Sequence, residues 1–298
     1  MVKILTKART LITAIIAMIV LTVSRVLVML NGIDYSNPNG LFSREGDIYN
    51  IIFYILLAVS AVAIIVTAWL DTRDPEKAYV TEIKDGRMTA IGGSMIAVGA
   101  VEALAVMSEF AAGLNIFSLF VIIGCICFVV GGVIIASAKE MTPLHSLPVA
   151  FIILSYVAQA IRFYMNNPLI SKIPQKLMLM GFLISTAFFW VYFGRMLSGD
   201  KKPYTRIMAV SVGYFSTAMT VAYIASSFIL LGVDAQKWMK LTNIPGIVLI
   251  PAAVVPSVIA TIILFSRTEA TAVNAVKTKE QTLETGAQES NDDIDNIS

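Results

Sequence analysis

The chain has 298 residues, 57% of them hydrophobic and 14% charged, with a formal net charge of +2 and a mean hydropathy of +0.79. Such a composition excludes an ordinary soluble protein. The small net charge, with no cluster of aromatics among lysines and arginines, excludes nucleic acid as a partner. The apolar residues are gathered into long blocks. A hydrocarbon core of about 30 Å needs roughly 20 apolar residues at about 1.5 Å rise each, so these blocks predict helices lying in a lipid bilayer.

The basic start, MVKILTKAR, leads into an apolar run with no clear cleavage site before Asn31, which predicts an uncleaved first helix over about 10–30. A turn-rich loop, NGIDYSNPNGLFSREGD, precedes a second helix over about 50–70 that ends near Trp69, an interfacial residue type. The charged loop DTRDPEKAYVTEIKDGR follows. The third helix, about 88–110, is the one the chain is organised around, because an acid, Glu102, stands inside its apolar run. An ionised carboxylate in hydrocarbon costs several kcal/mol unless compensated, so it is expected to face protein or a cavity. Gly92, Gly99, Glu102, Val106 and Glu109 share one helical stripe, and the small residues on it let a neighbouring helix come close to the carboxylate.

A short turn leads to a fourth helix over about 116–138, whose Gly124, Gly131 and Gly132 again permit close packing. The fifth, about 147–165, carries Ser155, Gln159, Arg162 and Asn166 along one polar stripe. The sixth covers about 177–197. The seventh, about 208–231, places Ser211, Tyr214, Thr217, Thr220, Tyr223 and Ser227 on one mildly polar face; such hydroxyls more often bond their own backbone than form a site. The eighth, about 245–266, contains Pro251 and Pro256, whose rings would remove two helix hydrogen bonds and produce a bend or unwound turn. From Arg267 to Ser298 the chain is polar, acidic and free of aromatics, which predicts a disordered cytoplasmic tail. The predicted architecture is an all-α polytopic integral membrane protein of about eight transmembrane helices over residues 1–266.

Lysines and arginines in short loops set orientation. Lys3, Lys7, Arg9, Arg73, Lys77, Lys84, Arg87, Lys139, Arg195, Lys201, Lys202, Arg206, Arg267, Lys277 and Lys279 fall on one side, against Arg44, Lys172, Lys176, Lys237 and Lys240 on the other. The asymmetry predicts a cell-membrane protein with both termini in the cytoplasm. A weak echo between SRVLVMLNG and IRFYMNNPL suggests two four-helix halves, although chance similarity of apolar segments accounts for it as well.

Counting along the helices from their cytoplasmic ends places Arg25, Glu102 and Arg162 at roughly 20 to 24 Å, so they are expected to meet as a carboxylate–guanidinium centre. The bland reading is a structural clamp, or arginines that snorkel to the headgroups. The single histidine, His145, lies in a loop, no HExxH or phosphate-loop motif is present, and Cys125 and Cys127 read as core residues. No catalytic constellation, metal site or cofactor is therefore expected. The leading functional expectation is a small-solute or ion carrier. Glu102 would be its proton- or cation-responsive carboxylate, with Arg162, Arg25, Gln159, Thr220 and Tyr223 beside it and the helix break at Pro251 and Pro256 as a moving element. The alternative is a non-catalytic membrane subunit, sensor or scaffold that docks a cytoplasmic protein through the 71–87 loop and the acidic tail. A third option, a lipid-acting enzyme, would need a cluster of polar loop residues at one membrane face.

Overall fold

A computed structural model describes residues 8–36, 42–43, 47–72, 85–110, 116–138, 142–166, 174–200, 202–241 and 253–265. The described chain is helical apart from a two-residue antiparallel ladder, β1 (Ile33–Asp34) with β2 (Phe42–Ser43). Its helices are α1 (Arg9–Leu27), continued by a π-helical turn at Val28–Gly32, then α2 (Ile48–Thr72), α3 (Asp85–Phe110), α4 (Ile116–Ser137), α5 (Ser146–Asn166), α6 (Pro174–Leu197), α7 (Pro203–Val233), the short α8 (Ala235–Leu241) and α9 (Ala253–Phe265).

Six helices are long and apolar enough to cross a membrane: α1 with its π turn, α2, α4, α5, α6 and α7. Of the remaining two expected spans, α3 is a 26-residue helix that carries Glu102, and the eighth is described only as the 13 residues of α9. Ile12, Ile16, Ile19 and Val23 on α1, and Ile51, Ile55, Val59 and Val62 on α2, are exposed. An apolar exterior of this kind is the reverse of a water-soluble surface and suits lipid.

Polar residues close several helix ends. Asp71 at the end of α2 accepts from the backbone N–H and hydroxyl of Thr10, both at 2.8 Å, and so caps the start of α1. Asp200 accepts from the Lys202 N–H and the Thr205 hydroxyl at the start of α7, where Pro203 occupies the first turn. The Lys202 N–H, then Thr205 and Arg195, hold the Asp200 carboxyl below the usual aspartate range. His145, the single histidine, joins its ring Nδ1 to the Thr142 N–H at 2.7 Å and is spent on a local cap.

Sequence neighbours pack antiparallel from α3 through α7. Glycines set the separation at α4. A methyl on Gly99 of α3 would stand 2.8 Å from Phe128 Cβ, and one on Gly92 would collide with the Gly132 carbonyl. On the other side of α4, Gly124 receives Ser155 of α5. Among the described elements the α1–α2 hairpin packs mainly on α7, while α3 and α4 pack chiefly on each other and on α5. Between the groups lies an aromatic core in which Trp190 of α6 meets Phe128, Phe189 and Phe193 edge-on at centroid separations of 5.2, 5.3 and 5.8 Å.

Candidate functional site

The stripe that predicted where Glu102 points is realised: Gly92, Gly99 and Glu102 all face α4. The carboxylate is 7% exposed. Its Oε1 accepts a hydrogen bond from the Tyr156 hydroxyl of α5 at 3.0 Å, and its Oε2 lies 3.9 Å from Cys125 Sγ of α4. Tyr156 is fully enclosed, and its ring packs edge-on against Phe128, which aims the hydroxyl at the acid.

Neither expected arginine forms an ion pair with Glu102 among the described residues, where the ion pairs are Arg195–Asp200 and Lys237–Asp234. Arg162 lies six residues beyond Tyr156 on α5. That is about 9 Å further along the axis and roughly 120° round it, at 1.5 Å and 100° per residue. Arg25 is on α1, which packs against α2 and α7. Gln159 is half-buried and donates to Ser155 Oγ at 3.3 Å, so it serves the α5 stripe and not the acid.

Arg25 instead forms a second polar centre. Its side chain is 0% exposed, and the guanidinium carbon lies 5.9 Å from the centroid of the Phe53 ring on α2. The titratable groups that act on it are Tyr223 of α7, Tyr54 of α2 and Tyr35 after the π turn. Of the expected candidates, Tyr223 is therefore near enough to act on Arg25 electrostatically. Thr220, one turn before Tyr223, is buried and donates to its own helix at the Ser216 carbonyl, 2.9 Å away.

The end of the bundle beyond Arg25 is also polar. Tyr35 donates to the Met29 carbonyl at 2.6 Å, and burial pushes its phenol up to about 12 against the pull of Arg25, so at neutral pH it is a neutral donor. Lys237 of α8 lies over the Tyr35 ring at 5.5 Å, donates to the Leu30 carbonyl at 3.1 Å and pairs with Asp234 at 3.5 Å. Asn50 of α2 donates to the Gly32 carbonyl at 2.9 Å, while its own buried Oδ1 has no hydrogen-bond partner among the described residues. The π turn supplies these acceptors, since carbonyls in the last turn of a helix, here those of Met29, Leu30 and Gly32, lack helical partners and are open to side chains.

The polar face of α7 is largely internal. Ser211, Thr217, Thr220 and Ser227 return their hydroxyls to carbonyls one turn back, and Tyr214 and Thr217 reach across to Thr261 and to the Ala253 carbonyl of α9. The expected helix break at Pro251 and Pro256 depends on the segment before Ala253, which lies outside the described residues. Pro251, the 73–84 part of the proposed docking loop and the 266–298 tail lie outside the described residues.

Tyr156, Tyr54 and Tyr35 are the residues that sequence reasoning missed, because they are aromatic side chains in or beside apolar runs and carry no charge to mark them. The one available signal was that Tyr54, Tyr156 and Tyr223 each carry a hydroxyl into a span, where a buried phenol needs a partner. No protein-family model matches the chain, and neither the curated proteins nor the solved structures contain a significant match to it.

Proposed function

We propose that this multi-pass membrane protein is a carrier for a small solute, without catalytic activity, held in the cell membrane with both termini in the cytoplasm. The observation that supports it is the enclosure of Arg25: a permanently charged group, inside a helix of spanning length, set beside the Phe53 ring and near enough to Tyr35, Tyr54 and Tyr223 for them to act on it electrostatically. A guanidinium there is costly to keep, and intramembrane charges of this kind mark ligand and ion pathways. In this reading Arg25 and Tyr223 receive the solute, and Glu102 is a separate coupling carboxylate on the far side of α6 and α7. The single Glu–Arg centre is thereby divided into two stations.

The test is uptake by proteoliposomes of a labelled panel comprising a small carboxylate, inorganic phosphate, a neutral amino acid and a quaternary amine. One class should accumulate with the native protein, and Arg25→Lys and Tyr223→Phe should lower its uptake at least tenfold while the protein stays folded. No accumulation of any class, or uptake indifferent to both substitutions, overturns the reading.

A second reading, a structural membrane subunit that docks a cytoplasmic partner, draws support from how completely Glu102 is packed between α4 and α5. It predicts no uptake, together with loss of partner binding when 71–87 is replaced.

A further inference from the structure

We propose that Glu102 is a proton-binding site that holds its proton at neutral pH, as a neutral carboxylic acid clamped between Tyr156 and Cys125. The inference rests on the carrier reading only for its use in coupling; proton occupancy is measurable without any solute.

Among the described residues Glu102 meets two titratable groups. From α4 comes the Cys125 thiol, 3.9 Å from Oε2, and from α5 the Tyr156 phenol, 3.0 Å from Oε1; its own helix presents Gly99 one turn earlier on the same face. Thiol and phenol are both uncharged at neutral pH. An ionised carboxylate enclosed to this degree would depend on one phenol and one weak S–H donor in place of water. Burying a charge without a counter-charge costs far more than those two bonds return. Adding a proton removes the mismatch: Glu102 COO⁻ plus H⁺ gives COOH, with no other bond made or broken and no electron transferred. The neutral acid keeps the Tyr156 hydrogen bond at its carbonyl oxygen Oε1, and the new O–H on Oε2 points toward the Cys125 sulfur, a weak acceptor.

A metal cation fits the same place poorly. A hard ion takes about six oxygen ligands, and this site offers two oxygens of one carboxylate, one phenol and a sulfur. Among the described residues no group of three or more His, Cys, Asp and Glu is placed to hold a metal ion. The glycine contacts between α3 and α4 hold the two helices close together on the face that carries Glu102.

Infrared difference spectroscopy of the purified full chain in lipid tests the inference. At neutral pH in sodium-free buffer the native protein should show a carboxylic-acid C=O stretch that Glu102→Gln removes. Tyr156→Phe should shift that band to higher frequency, because one hydrogen bond to the carbonyl is lost, and Cys125→Ala should shift it less. Should Glu102→Gln fail to fold, the Tyr156→Phe shift decides the matter. Absence of the band in the native protein, its indifference to Tyr156→Phe, or its loss on adding sodium ions would each overturn the assignment. The same preparations in the uptake assay report separately on transport, so a protonated Glu102 without uptake sinks the carrier and leaves the proton site standing.

Discussion

Arg25 and Glu102 are both charged residue types enclosed by helices, yet the protein houses them by opposite means. Arg25 lies beside the Phe53 ring of α2, with the phenols of Tyr54, Tyr223 and Tyr35 acting on it, at an end of the bundle rich in other polar groups, including Asn50, Asp234 and Lys237. Glu102 is walled by closeness: glycines let α3 settle on α4 until little but one phenol and one thiol remains beside the acid. A guanidinium cannot shed its charge in a protein, so it needs a polarisable and hydrogen-bonding lining. A carboxylate can take up a proton and become a group that tolerates an apolar wall. The two environments differ because the two side chains have different ways out of the same desolvation problem.

The sharpest way to break this comparison is to empty the first centre. Arg25→Leu should lower stability in detergent by about 3 kcal/mol or more, since a fully enclosed long side chain is lost and polar groups packed on it are stranded; thermal unfolding measures it. Arg25→Lys keeps the charge but not the flat contact with Phe53, and should fall between. If leucine proves neutral, the surroundings of Arg25 are ordinary packing. For the second centre the decisive change is in spacing: Gly92→Val, which drives a side chain into the Gly132 carbonyl, should cost about 1–3 kcal/mol and disturb the Glu102 infrared band. An unaltered band would mean that glycine contact does not define the acid's surroundings.

Smaller effects sharpen the contrast. Tyr35→Phe removes the bond to the Met29 carbonyl and should cost about 0.5–1.5 kcal/mol in thermal unfolding, with no influence on the Glu102 band. Asp200→Asn should matter least and should touch neither centre. Its folded carboxyl is held below the ordinary value of 3.8, first by the Lys202 N–H, so its contribution is present above that value and lost as pH falls through the folded one. The asparagine variant should therefore show a slightly lower unfolding midpoint near neutral pH and a flatter acid limb.

The helical, membrane-spanning character was legible because apolar run length against bilayer thickness is a one-dimensional property. So was the face of α3 on which Glu102 lies, since helical periodicity alone decides it. The partners were not legible. Counting residues from a helix start gives a depth, and Arg25, Arg162 and Glu102 shared one on paper; it does not say which helices touch, and α1 turned out to seat on α7. Tyr156 is adjacent to Ser155 in sequence but about 100° round the helix from the polar stripe that drew attention. The π turn at VMLNG has no residue pattern that distinguishes it from a frayed helix end.

The seating of the α1–α2 hairpin on α7 has a consequence for biosynthesis. Arg25 is delivered to the bilayer long before Tyr223 has been polymerised, and at roughly 5–20 residues per second the ribosome needs on the order of ten to forty seconds to supply it. Through that interval the arginine lacks Tyr223 and has only Phe53, Tyr54 and Tyr35 beside it, and must stretch to the headgroups or draw water inward. The newborn hairpin is thus a waiting intermediate, and its capture by the seventh helix is the step at which the nascent chain commits to its final arrangement.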